Sequence, residues 1–259
     1  MHELSIAWTW FKLTVMSRML DAWTFVPLWL GVLLNTVLQL VFFKALFLKT
    51  QSLGGWSYGE IMVLLATVRI IQAFAWGLWV RGGFRRLPRD IEQGSFDTNL
   101  VRPMNLRIQF IFNNADLFSL IEDLIVSGML LWYGLSSIGN SFNWLMYLFM
   151  LSLALVLHYS IICIFSAINF WIMVPKISEL IDQIFNLGRY PISIYGGAVR
   201  WFLTFAIPLA CIYSFPARAL FGALTVTELV TAIAVTVGFW LVGWGIWHLG
   251  VRRYESAQG

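Results

Sequence analysis

The chain has 259 residues, of which 59% are hydrophobic and only 12% charged, against about 25% charged in an average soluble domain. With a mean hydropathy of +0.77, it has too few polar groups to coat a soluble globule and too many packing residues for a disordered chain, which leaves lipid as the solvent. Cys163 and Cys211, its two cysteines, lie in apolar runs and read as buried reduced thiols, which excludes a disulfide framework.

A spanning helix needs about 20 residues, so the length admits several crossings and leaves no polar stretch for a separate soluble domain. Leu4, Trp8, Phe11, Val15 and Met19 recur at helical spacing, which predicts an interfacial helix over 4–20. Glu3 and the lack of a basic leading region argue against a cleavable signal peptide. Between Asp21 and Lys44 no charge occurs, giving a span at 22–44; a second, at 58–80, is interrupted by Arg69. Residues 81–107 form a polar loop, and a third span follows at 110–135. From Leu124 to Pro175 no Lys, Arg, Asp or Glu appears for 52 residues, long enough to hold the rest of the third span and a fourth at 143–173, with the turn at Ser136–Ser141. Ile177, Leu180, Ile181, Ile184 and Phe185 make an apolar stripe opposite Glu179, Asp182, Gln183 and Asn186, which predicts a second interfacial helix over 175–188 ending at Gly188. A fifth span at 198–215 is kinked at Pro208, and a sixth occupies 229–250. The expected fold is an all-α polytopic membrane protein with six transmembrane helices and an N-terminal interfacial helix, built as a single domain over 1–259.

Placing both termini in the cytoplasm puts 13 of the 17 Lys and Arg inside: Lys12 and Arg18, six arginines of the 81–107 loop, Lys176, Arg189 and Arg200, then Arg252 and Arg253. This satisfies the positive-inside rule.

The 81–107 loop carries six arginines and three acids. A basic anchor explains Arg81, Arg85 and Arg86, yet needs neither the Asp90–Gly94 run nor Asp97 with Leu100–Pro103. Gly94 suits a tight turn, and Pro103 suits the start of the next helix. A compact hairpin of mixed charge on the inner face reads as a docking surface for another protein.

The run from Asp90 to Asp97 with Leu100-Val101-Arg102-Pro103 resembles the inner-loop motif of ABC-2 type transporter permeases, in particular the short six-helix branch with separately encoded ATPases. Gly188–Tyr195, then Ala206-Ile207-Pro208 with Tyr213, Phe215-Pro216-Ala217 and Leu220-Phe221-Gly222, and the ending Arg252–Ala257 are similar to that branch's later segments, in order from residue 81 to the end. The resemblance implies an ABC-2 fold of the type V exporter kind in a bacterial cytoplasmic (inner) membrane. It implies two permease subunits, like or unlike, above two ABC ATPase subunits that bind ATP and Mg. Asp90, Ile91, Glu92, Gly94, Asp97, Arg102 and Pro103 would dock the ATPase. The helix at 4–20 would be the family's connecting helix. An outer re-entrant segment at 213–228, with Pro208, Tyr213 and Pro216, would gate the exit of an amphiphilic, lipid-like or drug-like substrate.

The chain has no G-x-x-x-x-G-K-[ST], so ATP hydrolysis is not expected of it and no catalytic residue is assigned. A charge at the bilayer centre costs at least about 2.5 kcal/mol, so Arg69 is expected to pair with Glu122 or Asp123 on the antiparallel third span. His158 and His248 have no carboxylate within a helical turn and read as interhelical hydrogen-bonding groups rather than proton carriers. No His/Cys cluster has metal-ligand spacing, so no metal site is expected, and nucleic acid is not an expected partner. The alternatives are an ion-coupled secondary transporter or channel, for which no internal repeat speaks, an intramembrane hydrolase built on Ser136 and His158, which lacks a G-x-S-G pattern, and a non-transporting scaffold subunit.

Overall fold

A computed structural model describes residues 22–102, 105–112, 115–139, 142–174 and 177–254. The expected interfacial helix at 4–20 lies outside them, as do Pro103 and the last five residues. All regular elements among the described residues are helical.

Among the described residues five helices are long and apolar enough to cross a membrane, or six if the bent pair Gly197–Phe205 and Ala210–Leu220 counts as one. The first, α1 (Ala22–Phe47), is apolar on every side and leaves Leu30, Leu34, Leu38 and Val41 exposed, as a lipid-facing helix does. α2 (Tyr58–Phe74) is the buried centre of the bundle and continues as a π-helix over Ala75–Phe84. A capping box starts it: the Ser57 amide donates to Glu60 Oε2 at 2.7 Å, and the Glu60 amide donates to Ser57 Oγ. Three short helices follow, α3 (Leu87–Glu92), α4 (Phe96–Leu100) and α5 (Leu106–Phe112). α6 (Leu117–Ile138) packs on α2 in the most extensive helix pair of the molecule. The third span therefore begins at Leu117 rather than 110, because Asp116 caps α6, accepting from the Ser119 amide, while its own amide donates to the Gly77 carbonyl at 2.6 Å. α7 (Trp144–Ala167) follows, then α8 (Ile177–Asn186), α9 (Gly197–Phe205), a π-turn over Ala210–Ser214, α10 (Phe215–Leu220) and α11 (Val226–Arg253).

Contacts define the two ends of the bundle. At one end Phe84, Phe96, Phe110, Phe170, Trp247 and Tyr254 form an aromatic knot with ring centroids 4.8–6.3 Å apart. It gathers the arginine-rich loop, the end of α7 and the end of α11. At the other end Trp56 meets Phe221, Tyr58 meets Tyr133, and the Asn143 amide donates to the Leu220 carbonyl at 2.9 Å.

Between α7 and α11 the chain departs from the sequence expectation. α8 turns one face inward and leaves Leu180, Gln183 and Asn186 exposed. Ile181 and Phe185 are buried, and Phe185 stacks on His158 of α7 with centroids 4.4 Å apart. Beyond it Tyr190 packs on Phe43, and Ser193 Oγ donates to the Gly54 carbonyl at 2.6 Å, which is the end opposite the arginines. Residues 177–194 thus run from one end of the bundle to the other. The expected fifth span at 198–215 does not make that passage. α9 and the Ala210–Leu220 segment are bent by 73° around Pro208, and both the start of the pair, near Ser193, and its finish, at Leu220, lie at the end away from the arginines. The returning segment is therefore 197–220 rather than 213–228, whose second part is already the first turns of α11, capped by Thr225 and Glu228. Two arginines counted with the inner segments are placed elsewhere. The Arg200 guanidinium donates to the Ser193 carbonyl at 2.7 Å, and Arg189 lies inside the bundle against Tyr213.

Candidate functional site

The arginine-rich hairpin is built outward from its anchors. Pro88 sits in the first turn of α3, where its missing amide costs nothing, and Gly94 takes φ +69° between α3 and α4, a conformation that L side chains rarely adopt. Leu87 and Phe96 are fully buried, Phe96 between Phe110, Phe170 and Tyr254. Motion of the hairpin is thereby tied to the ends of α7 and α11.

Its outer face is mixed. Arg85, Arg86, Arg89, Glu92, Gln93 and Thr98 are exposed, and Leu100 and Val101 protrude beside them, Val101 at 82% exposure. Of the residues assigned to docking, Glu92 is exposed and Asp90, Ile91, Asp97 and Arg102 are half-buried, while Gly94 is buried and shapes the turn. The Ser95 hydroxyl donates to Asp90 Oδ1 at 3.2 Å. Burial raises the Asp90 carboxyl above its ordinary range, against the opposing pull of Ser95, Arg86 and Arg89. The exposure of Leu100 and Val101 had no signal in the sequence.

Within the bundle Arg69 ties three helices together. Its Nη1 donates to Asp123 Oδ1 of α6 at 2.9 Å, and its Nη2 donates to Thr36 Oγ1 at 2.9 Å and Asn35 Oδ1 at 3.3 Å of α1. Glu122 is buried nearby, and its Oε1 accepts no hydrogen bond among the described residues. A second pair, Arg81 with Asp116, is shared with the Ser119 hydroxyl.

Deeper in the bundle lies a polar chamber of about 220 Å³, lined by Gln72, Trp76, His158, Asp182, Phe185, Asn186, Arg189 and Tyr213. His158 Nδ1 and the Tyr213 hydroxyl, both fully enclosed, have no hydrogen-bond partner among the described residues. The interhelical hydrogen bond expected of His158 is replaced by its stack on Phe185. Asp182, remote in sequence, shares its chamber. Linear spacing held no signal for this group, which the passage of α8 through the bundle assembles.

At the bend, Pro208 is buried and Pro216 opens α10. The Tyr213 ring lies directly on Gly188, where an added Cβ would collide with it. Pro208, Tyr213 and Pro216 therefore sit in one buried turn around the end of the 177–194 passage. His248 bonds the Trp244 carbonyl one turn back at 2.8 Å.

Compared with known families, the chain matches the model of the ABC-2 family transporter protein over residues 33–258. No curated protein matches it.

Proposed function

Because the chain belongs to the ABC-2 family of transporter membrane proteins, a multi-pass permease that works with ATPase partners, we propose that it is the membrane subunit of an exporter powered by separately encoded ATPases docked on the 85–102 hairpin. The observation that carries this reading is the hairpin itself: charges and two apolar tips outside, an aromatic knot inside. ATP and Mg belong to the partner chains. Closure of two ATPase subunits pushes on Glu92, Leu100 and Val101. Phe96 passes the push to Phe170 and Tyr254, and so to α7 and α11. Asp90, Ile91, Asp97 and Arg102 hold the hairpin's form.

The arginine-rich end then faces the cytoplasm of a bacterial inner membrane, with both termini on that side. A second permease, like or unlike, pairs with the exposed apolar flanks. The substrate is amphiphilic, since the helices offer broad apolar faces and few fixed charges. Pro208, Tyr213 and Pro216 in the 197–220 return gate its exit. The Arg69–Asp123 pair sets helix register rather than touching substrate. The chamber around His158, Asp182 and Arg189 favours a second reading, an ion-coupled carrier.

Tagging the C-terminus, extracting the complex in mild detergent and identifying co-purifying chains by mass spectrometry tests the assignment. A Walker-motif subunit that is lost on Asp90→Lys/Glu92→Lys supports it. A preparation free of ATPase overturns it in favour of the carrier.

A further inference from the structure

Beside α5 an open groove of about 490 Å³ is lined by Trp79, Arg107, Ile111, Tyr159, Trp240 and Trp244 among others. It sits toward the arginine-rich end, since Tyr159 contacts Phe84 of the aromatic knot at 5.5 Å. Its walls are apolar, yet three of its lining residues each carry a buried donor without a hydrogen-bond acceptor among the described residues: Trp79 Nε1, Arg107 Nε and the Tyr159 hydroxyl. Trp79 and Tyr159 are more than nine-tenths buried. A buried polar group left unsatisfied costs about 1–3 kcal/mol, so three among the residues of one groove point to a missing acceptor.

The acceptor carries negative charge. The Arg107 guanidinium lies over the Trp240 ring at 5.9 Å and donates to the Gly243 carbonyl at 3.3 Å, but pairs with no carboxylate among the described residues. Neither this groove nor the adjoining one, which shares Arg107 and adds His248 and Arg252, has an acidic residue in its lining. Basic pockets between helices at the cytoplasmic boundary suit anionic lipid head groups.

We propose that this groove binds an anionic phospholipid of the adjacent leaflet, its phosphate taken by Arg107, Tyr159 and Trp79 and an acyl chain lying along Ile111 and Trp244. The phosphate supplies the acceptors that the three donors lack, and the apolar wall supplies what a free anion would leave uncovered. The site does not depend on the direction or energy source of transport.

The test uses the full chain in dodecyl maltoside micelles doped with phosphatidylglycerol or with phosphatidylcholine of the same acyl chains, with bound lipid read by native mass spectrometry. Phosphatidylglycerol is retained preferentially. Arg107→Gln weakens its retention about tenfold, the value of one charge-assisted hydrogen bond. Tyr159→Phe, which removes one oxygen and keeps the ring contacts, weakens it about threefold, and Arg107→Lys falls between wild type and Arg107→Gln. Equal retention of the two lipids, or unchanged retention in a folded Tyr159→Phe, overturns the proposal. Displacement of the lipid by millimolar inorganic phosphate also overturns it, leaving an anion site without a tail.

Discussion

Arg69 illustrates how a single charge is made tolerable inside an apolar bundle. Its guanidinium reaches one carboxylate and two neutral oxygens on two neighbouring helices, so desolvation is offset by several directed bonds rather than by one pair. Removing the cation strands Asp123 in the interior. Arg69→Ala is therefore expected to destabilise the protein by about 1–3 kcal/mol, read as a lower unfolding midpoint in detergent. Glu122 is a contrasting case, since its buried Oε1 accepts nothing among the described residues. Glu122→Gln is expected to change stability by less than about 0.5 kcal/mol. A larger loss than that of Arg69→Ala would reverse the roles given to the two acids. Gly188 is a steric counterpart. Gly188→Ala drives a methyl into the Tyr213 ring and should lower the unfolding midpoint, with partial rescue in the double variant Gly188→Ala/Tyr213→Leu. An absence of rescue would mean that another contact forbids the side chain.

At the scale of elements, the long helices were legible because their charge-free runs are longer than any soluble core helix needs, as in Trp144–Ala167 and in residues 229–251 of α11. The hairpin was legible through turn chemistry at Gly94. The 177–194 passage was not. An apolar stripe reads the same whether it meets lipid or protein, whereas here Asp182 and Arg189 line an internal chamber and Phe185 fills the gap against His158. Nor could Arg200 be placed on its proper side by a rule that counts charges in loops, because its loop is at the other end of the bundle. The two topologies separate cleanly. Ser193→Cys should react with a membrane-impermeant maleimide added from the side opposite Glu92→Cys, since Ser193 shares its end with Gly54. Labelling of both from the same side would restore 198–215 as the crossing. Cys163 and Cys211 are buried and give little background.

Taken whole, the molecule pairs a rigid centre, α2 against α6, with two ends of different character. One end is a turn of Pro208, Tyr213 and Pro216 closed over Gly188; the other is a charged hairpin fixed to two long helices through aromatic rings. A force applied to the hairpin has a packed route into α7 and α11, and α7 carries His158 against α8. This is the arrangement expected of a permease moved from below by a partner. Family membership makes the assembly with an ATPase general; the proposed docking on the hairpin's exposed tip would make it specific. The most direct test is the ATPase rate of the purified complex reconstituted in lipid, comparing wild type with Val101→Asp, a change on a side chain 82% exposed and outside the core. The account predicts an intact permease with ATP turnover reduced at least about tenfold, as loss of a desolvated apolar anchor at an interface would give. Unchanged turnover with the partner still bound would contradict the hairpin as the coupling surface.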